Sequence, residues 1–282
     1  MIKPALILAL LPSLGWADAF PQSLVVPGGI AAIPVGSLQQ AAPEVYYEQN
    51  RVLVTKRDQQ WLALVGIGLA TAPGMQTIQV NSGQSQSEIS FLVLDKHYPE
   101  QRLTIENKRM VDEMSPADLK RIESEKITQE LIKSTWSSRD AATHFSAPVD
   151  GRLSSLFGLK RFFNNVARQP HNGLDIAAPA GTAILAPAAG TVIGTGNFFF
   201  NGNSVFLDHG QGLLSVYLHM TKIEVETGQT LQAGQRLGTV GATGRVTGPH
   251  LHWIIYLNKQ AVDPALFISE DLPRLAARNQ QP

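Results

Sequence analysis

Seven histidines and no cysteine set the chemistry open to this 282-residue chain. Without thiols there are no disulfides and no sulfur metal sites, so any bound metal relies on imidazole and carboxylate donors. Two of the histidines stand as His250-Leu251-His252, and the run continues through Trp253, Ile254, Ile255 and Tyr256. Such a run reads as a strand, and side chains two apart on a strand share a face, so His250 and His252 point the same way. Two imidazoles on one face of a rigid strand are a common half of a zinc site. A bare pair is also an ordinary surface or core arrangement, and its meaning rests on the rest of the chain. A second group, His171-Asn172-Gly173-Leu174-Asp175, sets an imidazole four residues before a carboxylate. That spacing is commonplace alone, but the strand and turn that follow, from Ile176 to Ile184, are placed to turn both side chains to one point.

The elements that must hold these groups follow from composition and pattern. At 44% apolar and about 150 residues per domain, the chain is long enough for two cores. Formal net charge is zero and no Lys/Arg run occurs, which argues against nucleic acid or an anionic membrane as partner. Met1-Ile2-Lys3-Pro4, the apolar run Ala5 to Leu14 and Ala17-Asp18-Ala19 form a secretory signal with cleavage expected after Ala19. No later stretch is long and apolar enough to span a bilayer, so an exported protein is expected, in the periplasm where the cell has one.

From Phe20 to Asp112, short alternating runs such as Arg51 to Lys56 and Trp61 to Gly66 are separated by turn formers, among them Asp58-Gln59 and Asn81-Ser82-Gly83. The spacing predicts a small antiparallel β-sandwich-like domain. Ser115-Pro116-Ala117-Asp118 then opens a helix, with Ser as N-cap, Pro at the first helical position and an acid at the positive end of the dipole. Leu119, Ile122, Ile127, Leu131 and Ile132 are expected to pack one face of it, and it should end near Trp136 and bridge the two halves. Beyond it the chain turns to short strands and tight turns, with a loop from Lys160 to Pro170 delivering His171. The expected division is leader 1–19, β-domain 20–112, bridging helix 113–138, β-rich domain 139–270 and tail 271–282, mainly β throughout.

In their order and spacing, His171-x-x-x-Asp175, Tyr217-x-His219, the Gly228-Gln229 and Gly234-Gln235 turns, Gly241-x-Thr243-Gly244 and Gly248-Pro249-His250-Leu251-His252 resemble the lysostaphin/LytM-type zinc endopeptidases of peptidoglycan. The likeness covers about Ala147 to Phe267. It implies an antiparallel peptidase domain holding one Zn²⁺ per chain through His171, Asp175 and His252, with His219 and His250 beside the metal as catalytic groups. Two imidazoles, a carboxylate and a water leave one exchangeable position. Bound Zn²⁺ lowers the pKa of water from ~16 toward ~7 and polarises a carbonyl; the two free imidazoles would serve as base, oxyanion donor or acid. Tyr217, two residues before His219, is expected on the same face as a substrate hydrogen-bond donor, and the Phe162-Phe163-Asn164 and Asn197 to Asn201 stretches are candidate groove walls.

Family and compartment together imply a D,D-endopeptidase cutting the D-alanine to meso-diaminopimelate crosslink, with stem peptides as partners. Two alternatives are kept: a non-hydrolytic regulator that activates another wall hydrolase, and a wall-binding protein. The N-terminal half, with its helix, is also large enough to cover a groove and limit access.

Overall fold

The computed structural model describes residues 20–277, so the expected leader, residues 1–19, and residues 278–282 lie outside the described residues. The protein is mainly β. Strands β1 (Ile30–Ser37), β2 (Glu44–Tyr47), β3 (Asn50–Arg57), β4 (Gln60–Gly66), β5 (Gly74–Ser82) and β6 (Ser85–Val93) form one antiparallel sheet in the order β1-β4-β3-β2-β5-β6. Between β3 and β4, Asp58 and Gln59 both have positive φ, 48° and 62°, the two-residue reversal that matches strand twist. Strand alternation then sorts the side chains. Ala31, Ile33, Val52, Val54, Ala63 and Val65 gather with Val45, Tyr47, Ile78, Val80 and Val93, so the continuous sheet closes on its own core. Ile30, Leu53 and Leu64, one residue out of phase, leave by the opposite face and enter the core of the C-terminal half.

Next come β7 (Glu100–Leu103), a short 3-10 turn over Lys108–Met110, and helix α1 (Pro116–Lys133). The N-terminus of α1 is as expected: Ser115 and Asp118 make a reciprocal capping box, 3.1 Å each way, with Pro116 following. The helix stops at Lys133, short of Trp136. Its packing differs from the expected apolar stripe, because Leu119, Ile127 and Leu131 are exposed. The docked face is partly polar instead: Glu125 Oε2 accepts from the Phe199 N–H at 2.7 Å, Gln129 Oε1 accepts from Asn201 Nδ2 at 2.8 Å, and Ile132 packs with Phe198.

The C-terminal half contributes β8 (Arg152–Ser155), β9 (Lys160–Phe163), β10 (Val166–Ala167), β11 (Leu174–Ala177), β12 (Ala183–Leu185), β13 (Gly190–Phe198), β14 (Gly202–Asp208), β15 (Leu214–Met220), β16 (Lys222–Ile223), β17 (Thr230–Leu231), β18 (Arg236–Thr239), β19 (His250–Leu257) and β20 (Gln260–Val262). Its main sheet runs β17-β13-β14-β15-β19-β11-β8, with β20 also on β19, and β12-β18-β16 form a smaller sheet. The stretch expected as a loop from Lys160 is a β9–β10 hairpin, turned by Asn164 and Asn165 at φ 50° and 65°; Asn tolerates that left-handed region better than most residues. A third sheet, β10-β9-β7, joins the halves: β7 runs parallel to β9, pairing Glu100 to Leu103 with Lys160 to Phe163. Residues 271–277, expected as a tail, include a docked helix, α2 (Leu272–Ala277), which buries Leu275.

Two side-chain amides seal the halves together by imitating a strand neighbour. Asn258 donates to the Gly66 carbonyl at 2.9 Å and accepts from its N–H at 2.6 Å; Gln211 does the same for Val54, at 3.1 Å each way. Among the described residues no helix is long and apolar enough to cross a membrane.

Candidate metal centre

β19 runs between β15 and β11, and its alternation splits the sheet into two faces. Leu251, Trp253, Ile255 and Leu257 enter the main core, while Ile254 and Tyr256 join Leu214, Val216 and Leu218 on the other face. His250 and His252 continue that second face, as expected from the spacing. Asp175 lies directly across from His252 in the β11–β19 register. His171 comes from the segment entering β11, and Gly173 makes the fit possible: a Cβ there would stand 2.4 Å from the Trp253 carbonyl and 3.0 Å from the His252 ring.

Three donor atoms converge. His171 Nε2 lies 3.0 Å from Asp175 Oδ1 and 3.0 Å from His252 Nδ1, and the last is 2.6 Å from the same Oδ1. Their far sides are held by hydrogen bonds that set the tautomers. His171 Nδ1 donates to the Leu156 carbonyl at 2.6 Å, leaving Nε2 a bare lone pair. His252 Nε2 donates to Asn172 Oδ1 at 3.3 Å, leaving Nδ1 bare. Burial, outweighing the pull of Asp175, lowers the His252 pKa to about 4, so the ring is neutral at pH 7. The result is three acceptors face to face with no proton between them, an arrangement that a cation resolves. Two nitrogens and one carboxylate oxygen, all buried, suit a borderline divalent ion.

Arg161 completes the carboxylate's surroundings. Its Nη2 donates to Asp175 Oδ2 at 2.7 Å and to Ser155 Oγ at 3.2 Å, and its Nε to Gln101 Oε1 of β7 at 3.2 Å. One carboxylate oxygen is thereby occupied and the other is left to face the imidazoles. Neither Arg161 nor Asn172 was singled out by motif spacing; only the adjacency of Asn172 to His171 hints at its role.

His219 reaches the site by a route alternation does not give. Asn203 pairs with Met220 but Val205 with Tyr217, so two residues of β15 oppose one of β14. Within this bulge His219 takes φ 64°, and bulges re-aim side chains in this way. Its ring stands 5.0 Å from that of His250 and 6.0 Å from that of His252, centroid to centroid. Tyr217 is therefore not brought to the site. It is fully buried in the main core, with its hydroxyl 2.7 Å from Ser215 Oγ, because the bulge sends His219 to one face and leaves Tyr217 on the other. The substrate-contact expectation for Tyr217 is corrected accordingly.

The two remaining imidazoles are also oriented by main-chain carbonyls: His219 Nδ1 donates to Thr243 O at 2.9 Å and His250 Nδ1 to Gly248 O at 2.8 Å. Each leaves Nε2 bare, and His250 Nε2 lies 3.8 Å from Asp175 Oδ1. Burial, aided by His252 and His250, lowers the His219 pKa to about 3. The expected groove walls are themselves engaged. Phe163 packs with Ile105 and Val111, Asn164 bonds both main-chain groups of Ile105, and Asn197 and Asn201 hold α1 through Arg121 and Gln129.

Residues 169–264 match the description Peptidase family M23, and residues 24–96 match Peptidase family M23 N-terminal domain. A solved structure assigned to peptidase M23 from Pseudomonas aeruginosa is 42% identical, and the match covers 87% of this chain and 96% of that one with a TM-score of 0.74. Peptidoglycan DD-endopeptidase ShyA of Vibrio cholerae is 43% identical over 119 residues, which are 41% of this chain and 28% of ShyA. Peptidoglycan DD-endopeptidase ShyB of the same organism is 38% identical over 130 residues, 45% of this chain and 30% of ShyB. The matched region thus spans under a third of the length of these curated relatives.

Proposed function

Because the chain belongs to peptidase family M23, we propose that it is an exported zinc metalloendopeptidase that opens D-alanine to meso-diaminopimelate crosslinks of peptidoglycan. The observation that carries this reading is the convergence of His171 Nε2, His252 Nδ1 and Asp175 Oδ1 on one buried point, with the rings of His250 and His219 beside it. In this reading His171, Asp175 and His252 hold one Zn²⁺ per chain. When bound, the ion supplies Lewis acidity, lowering the pKa of water toward ~7 and polarising the scissile carbonyl. His219 and His250 offer Nε2 to the same space, as acceptor for the water's proton and then donor to the leaving amine. Their Nδ1–H groups are already committed to carbonyls, so neither ring has to change tautomer to receive that proton.

The names of the two Vibrio relatives support the bond class. Export to the periplasm rests on the leader-like residues 1–19 and on where such a substrate lies. The proposed division, 20–112, 113–138 and 139–270, is compatible with the two matched stretches.

The test pairs metal content with hydrolysis of purified muropeptide dimers, with and without chelator. One zinc per chain and chelator-sensitive conversion to monomers are expected. His171→Ala and His252→Ala should lose zinc and turnover together, whereas His219→Ala and His250→Ala should keep zinc and lose turnover by about 10²- to 10⁴-fold. Zinc without conversion contradicts the bond, and neither zinc nor conversion favours the regulator.

A further inference from the structure

Three guanidinium groups stand close enough for their charges to act on one another, and among the described residues only Arg161, at the metal centre, has a carboxylate. Arg161 is paired with Asp175. Arg168 and Arg245 have no ion-pair partner among the described residues. Arg245 stands in the loop that leaves Gly241 and returns to pair at His250, two residues past the Thr243 carbonyl that orients His219. Its guanidinium is stacked between the rings of Phe163 and Phe200, 4.7 and 4.3 Å from their centroids. Among the described residues its one polar side-chain contact is a long bond, 3.3 Å, to the main-chain carbonyl of Met110. Arg168 donates through Nη2 to the carbonyl of Val111 at 2.9 Å, while its Nε is buried and without any partner. Burial, and then the charges of Arg168 and Arg161, lower the Arg245 pKa to about 10. Two cations side by side, satisfied only by neutral carbonyl oxygens, are poorly matched as they stand; a planar guanidinium with free donors matches a carboxylate.

We propose that Arg168 and Arg245 form a carboxylate-binding subsite of the peptidase groove, and that residues 103–111 mask it by lending it two main-chain carbonyl oxygens. The inference rests on the peptidoglycan reading above and adds to it what the groove recognises next to the reacting bond: the free carboxylates of an acidic stem peptide. The masking segment is suited to leave. It is held by a small apolar cluster of Ile105, Val111 and Phe163, with Leu103 and Met110 at its rim, and by the Asn164 side chain on both main-chain groups of Ile105, and a cleft of about 360 Å³ lies between it and residues 242–247. Its one acid, Glu106, and the adjoining Asp112 make no ion pair with either arginine. A substrate carboxylate therefore gains a partner that the segment does not supply, and binding and unmasking become one event.

The experiment reads the segment directly, by hydrogen exchange of the full-length mature protein over residues 103–113. The probes are an uncrosslinked tetrapeptide carrying the free carboxylates of D-alanine and diaminopimelate, and the same peptide with those carboxylates amidated. The free acid is expected to speed exchange of the segment by about tenfold and the amidated peptide to leave it unchanged. Arg168→Gln should exchange faster without ligand and lose the response; Arg245→Gln should do the same, and the paired probes stand in for it if that variant does not fold. Muropeptide hydrolysis is measured alongside. Hydrolysis with a segment indifferent to both peptides, or responsive equally to both, overturns the subsite and leaves the peptidase reading standing. A response to the free acid alone without hydrolysis keeps the subsite and sinks the reading, and silence in both sinks both.

Discussion

Two of the contacts between the N-terminal half and the peptidase half are built from different materials. Against the β19–β20 turn, the sheet of β1, β3 and β4 contributes Ile30, Leu53 and Leu64 to the main core, and the amides of Asn258 and Gln211 complete the backbone bonding of Gly66 and Val54. Beside the metal centre, where Gln101 bonds Arg161, residues 100–118 are held by four residue pairs between β7 and β9, a small apolar cluster and carbonyl-to-arginine bonds, with the Arg109–Asp118 pair inside the segment. The first contact is a continuation of the interior and has no way to open short of unfolding. The second is short, partly polar and near solvent, the kind of region from which local opening is drawn. The fold thus anchors the N-terminal half at one end and leaves the proposed cover, residues 103–111, on shorter contacts at the other.

Leu64→Ala strikes the anchored contact hardest. It should cost about 2 to 5 kcal/mol, read as a lower urea midpoint in one transition for both halves; two separate transitions would show that the shared core does not couple them. Asn258→Ala leaves the buried N–H and carbonyl of Gly66 without partners, a loss of about 2 kcal/mol in the same assay.

Acid separates the main core, where His209 lies buried against Phe145 with its ring on the Ala189 carbonyl and Ser215 Oγ, from the second contact. Burial lowers the His209 pKa from its ordinary 6.5 to about 4 in the folded chain, so the native state binds fewer protons than the unfolded one. Its contribution is present above pH 6.5 and is lost as the pH falls toward 4. Asp118 lies lower: its bond to Arg109, against burial and with help from Ser115, holds its carboxyl well below the ordinary 3.8. That lock is intact at pH 5 and fails only as the pH falls below about 4. At pH 5 the urea midpoint should already have dropped while exchange over residues 108–118 stays protected, and loss of both together would contradict the assignment. The smallest effect belongs to Val111→Ala, about 1 kcal/mol and local. Exchange over residues 103–111 should quicken and muropeptide hydrolysis rise with the unfolding midpoint nearly unchanged; slower hydrolysis would mean that the segment assists rather than covers.

How far the sequence carries depends on the kind of rule each residue obeys. His250 and His252 were readable because a period of two survives along β19, and the start of α1 because Ser115, Pro116 and Asp118 act within one turn of chain. His219 and Tyr217 exchange faces because a bulge of one residue, invisible in the residue types, interrupts β15. The docked face of α1 escaped because Glu125 and Gln129 bind main-chain and amide groups of residues 199–201, a contact that hydrophobic spacing does not register. β7 was readable as the β-rich run Gln101 to Ile105, but its pairing was not: the partner lies 60 residues on, in a hairpin itself expected as a loop.

The parallel pairing of β7 with β9 has a mechanical side. Bonds between two strands pulled along their length share the load and must yield together, whereas bonds pulled across it yield one at a time. With Glu100 to Leu103 clasped to Lys160 to Phe163, tension drawn along these strands meets the clasp as shear and leaves the cover in place. A sideways tug peels it from one end.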